Sequence, residues 1–248
     1  MEITNNIIKW VYSLSQKKNR TKEKCFIVEG TKCVLDTLKY FNVRYLFASE
    51  QWCNEHMNLD TIVATKVQLE RMSMLKTPTE VIAVYDMPCF EVEDLEIENK
   101  LNLVLDNIQD PGNLGTIIRI ADWFGIHNII CAEGTVDVYN PKVIQATMGA
   151  IARVKVVYCH LPQLFTAHKD MHVFGTFLDG DNLYDAKLEN SGFIVMGNEG
   201  NGISKELEPY MSQRLLIPSY PEGETTSESL NVGMATALIV GEFRRRMR

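Results

Sequence analysis

Three stretches in the second half of the chain carry the residues whose types and spacing could do chemistry. Asn113, Gly115 and Arg119 lie in LVLDNIQDPGNLGTIIRIA (residues 103–121). Gly197, Asn198, Glu199 and Gly202 lie in FIVMGNEGNGIS (193–204), and Ile217, Ser229, Leu230 and Asn231 in LLIPSYPEGETTSESLNVGMA (215–235). Each stretch begins as a short apolar strand, breaks into a Gly/Asn-rich polar loop and leads toward a helical pattern. Open α/β sheets hold ligands where their strands end, so three such exits read as one composite site. The glycines let main-chain N–H groups approach a ligand closely. Arg119 sits among Ile117, Ile118 and Ile120, which predicts a largely buried helix. A buried guanidinium needs an anion: either a carboxylate such as Asp106 or Asp122, or the phosphate or ribose of a bound nucleic acid. The turn Asp110-Pro111-Gly112 predicts Asn113 as a helix N-cap, and Ser229 is placed to cap a last helix running to about Arg245.

The elements that must position these residues alternate along the chain. Ile3, Ile7, Trp10, Val11 and Leu14 recur at helical spacing. A basic run from Lys17 to Lys24 follows and is read as a solvated loop. Strand-like and helix-like pieces then alternate through VIAVYD, which argues α/β layering. Pro88 and the acid-rich stretch to Asn99 read as an exposed linker, after which the alternation restarts at Lys100. The expected division is therefore 1–87, a linker over 88–99, and 100–248.

Composition narrows the class. At 46% hydrophobic and 23% charged residues the chain reads as globular, and no apolar run is long enough for a membrane span. The N-terminus MEITNNIIKW lacks the pattern of a secretory signal, which predicts a cytoplasmic protein. Cys25, Cys33, Cys53, Cys89, Cys131 and Cys159 are scattered with no C-x-x-C pair, so reduced thiols are expected. The five histidines show no metal-ligand spacing, and no metal is expected. Neither G-x-G-x-x-G nor a Walker pattern occurs. The net charge of -7 argues mildly against a nucleic-acid partner. Its distribution weakens that objection: residues 86–99 hold six acids and no base, while Lys17, Lys18, Arg20, Lys22 and Lys24 fall within eight residues. Arg244, Arg245, Arg246 and Arg248 close the chain. Local charge can hold a phosphate backbone because distant charge is screened.

Together the three stretches resemble the SpoU (TrmH-like) RNA 2′-O-ribose methyltransferases of the SPOUT superfamily, over about residues 100–248. The segment NRTKEKCFIVEGTKCVLDTL (19–38) resembles the substrate-binding domain of many SpoU proteins through Arg20, Phe26, Val28, Glu29 and Gly30. The resemblance implies an α/β fold with a C-terminal parallel sheet, flanking helices and a deep trefoil knot, preceded by a small α/β RNA-binding domain. It implies S-adenosylmethionine (AdoMet) held by Gly197, Asn198, Glu199, Gly202, Ile217, Ser229, Leu230 and Asn231. It implies a catalytic site of Asn113, Arg119, Glu199, Ser229 and Asn231. It also implies a homodimer, with Arg119 supplied either within a protomer or across the interface, and an RNA substrate, ribosomal before transfer RNA. A guanidinium stays protonated in proteins, so Arg119 is expected as a cationic clamp, with the proton going to Ser229, a substrate phosphate or water. The chain departs from the family at Ser219, where methionine is common, and in a longer loop over 219–228. Two other readings are a non-catalytic RNA-binding or ribosome-assembly factor on this fold, and an unrelated nucleotide-binding α/β enzyme. The first is opposed by retention of the five site residues. The second leaves two of the three stretches unexplained.

Overall fold

The computed structural model describes residues 2–247 except Glu222, Gly223, Thr225 and Thr226. The chain forms two compact units, Met1–Cys89 with Asp137–Ala152, and Phe90–Val136 with Arg153–Arg248.

In the first unit, α1 (Asn5–Ser13), α2 (Lys17–Glu23), β1 (Cys25–Glu29), α3 (Thr31–Thr37), β2 (Val43–Ala48), α4 (Glu50–Glu55), β3 (Ile62–Val63), α5 (Lys66–Met72) and β4 (Val81–Asp86) follow in order. The sheet order is β1-β4-β2-β3, antiparallel except for the β2–β3 pair. Ile8, Val11 and Leu14 of the first amphipathic segment meet Phe47, Leu69, Met72, Ile82 and Val84 in one core. Helix α5 starts on a capping box in which Thr65 and Gln68 satisfy each other's main chain. The basic run is not a loop. It forms α2, which stops where Lys24 turns left-handed at φ 54°.

In the second unit come β5 (Leu101–Leu105), α6 (Pro111–Trp123) and β6 (Asn128–Ala132). The chain then returns to the first unit for α7 (Pro141–Thr147), which packs there on β1, and the second unit continues with β7 (Lys155–Cys159), α8 (Leu161–Ala167), β8 (Val173–Asn182), β9 (Gly192–Met196), β10 (Gln213–Leu216) and α9 (Val232–Arg246). All six strands are parallel, in the order β10-β8-β9-β5-β6-β7. This is the parallel sheet with flanking helices expected from the alternation. Strands β5 and β9 are buried at every residue, as continuous apolar runs covered on both faces should be. Val104, Ile130, Val157, Leu164, Phe193, Val195 and Leu207 form the core between sheet and helices.

The acidic stretch is not an exposed linker. Leu95 and Ile97 are buried in that core, and Phe90 and Val92 pack against it, while Glu91, Glu93, Asp94, Glu96 and Glu98 face solvent. Charge counting hid the alternation of a strap with one wet face. The terminal arginines are likewise spent internally. Arg244 donates to the carbonyls of Phe124 and Gly125, completing the end of α6. Arg246 donates to those of Leu183 and Tyr184, and Arg245 and Arg246 both pair with Glu242. Arg248 lies outside the described residues.

Candidate active site

The parallel sheet brings the three stretches to one edge. β5 and β9 are neighbours in register, Leu105 opposite Met196, so the loops that follow them leave the sheet side by side. β10 leaves two strands away. Asn113 is not the N-cap of α6. Asp110 is, accepting from the Asn113 amide at 2.8 Å, with Pro111 in the first turn. The Asn113 side chain is thus free for other work. Its Nδ2 donates to Glu199 Oε1 at 2.7 Å, and its Oδ1 accepts from Asn231 Nδ2 at 2.9 Å. One residue from each stretch therefore joins an exposed hydrogen-bonded chain, Asn231–Asn113–Glu199.

Asn231, not Ser229, caps the last helix, accepting from the amides of Gly233 and Met234. Helix α9 starts at Val232, so Ser229 stands two residues before the cap and is exposed. Its hydroxyl is not consumed in capping. Leu230 is exposed as well, while Ile217 is half-buried where β10 ends.

The Gly197–Ser204 loop is tightly wound. Asn198 and Gly202 exchange main-chain bonds, and Asn198 Oδ1 accepts from the amides of Gly200 and Asn201. A Cβ on Gly197 would lie 2.3 Å from the Gly202 carbonyl carbon and 2.4 Å from the Ile203 nitrogen. Gly202 adopts φ +69° with open space beyond it. A ligand can therefore reach the main chain at Gly202, while Gly197 lets the loop close on itself.

Two residues hold this loop, Asp106, which the sequence offered only as a partner for Arg119, and Asn107, which it did not single out. Asp106, 2% exposed, accepts from the Ser204 amide at 2.6 Å and from Asn107 Nδ2 at 2.7 Å. The Asn107 carbonyl accepts from Asn198 Nδ2 at 2.8 Å. A left-handed φ of 57° at Asn107 is a signal that sequence alone does not display.

Arg119 departs from the expectation of burial. Its side chain is exposed and makes no hydrogen bond or ion pair with the described residues. Both carboxylates that could have paired with it are engaged elsewhere, Asp106 as above and Asp122 in a two-pronged bond with Arg153 at 2.7 and 2.8 Å. Six residues of α-helix place Arg119 about 120° around and about 9 Å along α6 from Asn113. It lies instead in an exposed row with Thr116 and Trp123, the latter 85% exposed. Met234 and Leu238 of α9, which packs on α6, are 63% and 43% exposed.

In the first unit, Lys17, Lys18, Lys22 and Lys24 are exposed, but Arg20 is turned inward at 2% exposure. It donates to the carbonyls of Leu14 and Ser15 at 2.8 Å and pairs with Asp137. One turn of α2 carries the lysines outward and this arginine inward, so Arg20 ties residues 137–152 to the unit rather than presenting charge to a partner. Phe26 and Tyr139 rings, 4.7 Å apart, close the same junction.

The family model described as SpoU rRNA Methylase family matches residues 100–241. The chain belongs to this family. An MRM3-like substrate binding domain matches residues 5–83. Among relatives, the 23S rRNA (guanosine(2553)-2′-O)-methyltransferase RlmP of Bacillus subtilis is 31% identical, with 97% of this chain and 96% of the relative covered. A TrmH-family structure from Porphyromonas gingivalis superposes with a TM-score of 0.88 at 37% identity, covering 99% of this chain and 100% of that one. The AdoMet-bound rRNA methyltransferase of Sinorhizobium meliloti superposes at 0.87 and 26% identity, covering 100% and 97%. The residues present fit that cofactor. The winding of the SpoU loop leaves an open main-chain approach at Gly202, and the half-buried Ile217 adds apolar surface.

Proposed function

We propose that this SpoU chain transfers a methyl group from AdoMet to a ribose 2′-hydroxyl of ribosomal RNA. The observation that carries the reading is the Asn231–Asn113–Glu199 chain, which joins all three strand exits. AdoMet supplies the activated methyl on a sulfonium centre. The Gly197–Ser204 loop, Ile217 and the Ser229–Asn231 segment would hold it. Asn113, Glu199 and Asn231 fix one another and orient the incoming ribose. Arg119 holds a substrate phosphate and stabilises negative charge developing on the 2′-oxygen. It cannot be the base, since a guanidinium keeps its proton. Ser229, with its hydroxyl uncommitted to capping, stands as one acceptor of that proton beside a substrate phosphate or water.

Residues 1–87 recruit the RNA, through Lys17, Lys18, Lys22 and Lys24. The chain works as a homodimer. The support is the exposed apolar side chains Trp123 of α6 and Met234 and Leu238 of α9, the helix packed on it, surface of a kind that a partner copy would cover. Within such a dimer Arg119 would complete the site of the other protomer. The trefoil knot that accompanies this site in the family and a cytoplasmic setting belong to the same reading. No helix among the described residues is long and apolar enough to cross a membrane.

The test is an AdoMet titration by calorimetry together with methyl transfer to ribosomal RNA, mapping 2′-O-methyl positions. Micromolar AdoMet binding and one modified ribose are expected. AdoMet binding without methylation of ribosomal RNA lacking its native modifications would favour the non-catalytic assembly factor.

A further inference from the structure

The loop bearing Glu199 is not held by its own turn alone. Asp106 leaves β5 beside Gly197, and its amide donates to the Met196 carbonyl at 2.9 Å, extending the β5–β9 ladder by one bond. Its buried carboxylate then takes two donors at once, the Ser204 amide on Oδ2 and Asn107 Nδ2 on Oδ1. Asn107, in the left-handed region, turns its carbonyl to meet Asn198 Nδ2. The close approach that this needs is provided at Gly134, where a Cβ would sit 2.0 Å from Asn107 Oδ1. The loop is therefore fastened at Asn198 and at Ser204, and Glu199 lies between the fastenings.

We infer that Asp106 and Asn107 form a latch that positions the Glu199 loop for cofactor and for Asn113. They are positioning residues: they act through Asn198 and Ser204, whose loop displays Glu199 to Asn113 at 2.7 Å. A carboxylate is required because one amide side chain cannot offer two acceptor oxygens to two N–H donors. Precision at this loop matters because displacement by about 1 Å can cost on the order of 100-fold in rate.

The inference rests on the AdoMet reading of this loop, and the experiment separates the two. Asp106→Asn replaces one acceptor oxygen with a donor. Hydrogen exchange on the free variant should show the amides of residues 199–204 exchanging at least about tenfold faster, with the β1–β4 sheet of the first unit unchanged. Calorimetry should show AdoMet Kd raised about tenfold or more, and single-turnover kinetics a raised KM for AdoMet with KM for RNA held. Asn198→Ala, which opens the other fastening at a half-buried side chain, should reproduce both effects and serves if Asp106→Asn fails to fold. Unchanged loop exchange in folded Asp106→Asn or Asn198→Ala overturns the latch. Exchange that rises over the whole protein equally overturns it, since that marks general destabilisation. If the unaltered protein binds no AdoMet, the cofactor reading fails, and the exchange measurement still decides the latch.

Discussion

Replacing Arg119 by alanine separates two accounts of its charge. Had the guanidinium been paired with Asp106 or Asp122 in the interior, its loss would cost about 3–5 kcal/mol. Instead Asp106 holds the Ser204 amide, Asp122 holds Arg153, and Arg119 faces solvent. An exposed, unpaired side chain on a helix surface contributes within about 0.5 kcal/mol, and alanine is the better helix former. Thermal unfolding and AdoMet affinity of Arg119→Ala should therefore match the parent. Single-turnover methyl transfer should fall about 100-fold or more, equivalent to roughly 2.7 kcal/mol, the scale for removing one preorganised donor from a developing negative charge. Arg119→Lys should recover little, because a point charge does not reproduce the planar fork. Mixing Arg119→Ala with Asn231→Ala protomers tests where the arginine acts. In a twofold dimer with random exchange, a trans-acting arginine restores about a quarter of the sites, while a cis-acting one restores none. Near-normal turnover in stable Arg119→Ala protein would refute the catalytic assignment, and a large loss of stability would refute the reading of its surroundings.

Replacing Lys17, Lys18, Lys22 and Lys24 by serine should weaken RNA binding and flatten its log–log salt dependence by roughly 0.7–0.9 per lysine that meets a phosphate. Arg20→Ala should instead cost about 3–5 kcal/mol in urea unfolding, through its buried pair with Asp137. Gly197→Ala should abolish AdoMet binding by calorimetry while the protein still folds, at a cost of about 1–3 kcal/mol, because the added carbon meets main chain rather than a movable side chain. Hydrogen bonds from Arg245 and Arg246 pull the Glu242 carboxyl down from 4.5 to about 2. A depressed carboxyl stabilises the fold above its unfolded value and loses that stabilisation as pH falls through the folded one. The C-terminal helix should therefore weaken between about pH 5 and 2, and Glu242→Gln should lessen that dependence in acid unfolding followed by circular dichroism.

What the sequence disclosed was that the loops carrying Asn113, Glu199 and Asn231 meet where their strands leave the sheet. Apolar runs at β5 and β9 and the breaks after them are local patterns, and a parallel sheet places such breaks together whatever the loops contain. Orientation was less legible. Asn113 and Ser229 both sat where capping residues sit, yet Asp110 and Asn231 took the caps. In each case the choice depends on where the helix begins, which shifts by a residue or three with tertiary context. Arg119 among isoleucines read as buried because composition averages over a turn. The helix has a wet side, and Thr116, Arg119 and Trp123 share it at spacings of three and four. The same arithmetic applied to α2 turns Arg20 inward from among exposed lysines. A residue's neighbours in sequence thus indicate its element, but its own register on that element decides whether its charge meets protein or solvent. In this chain that register leaves Arg119 without a partner among the described residues and turns Arg20 inward onto Asp137.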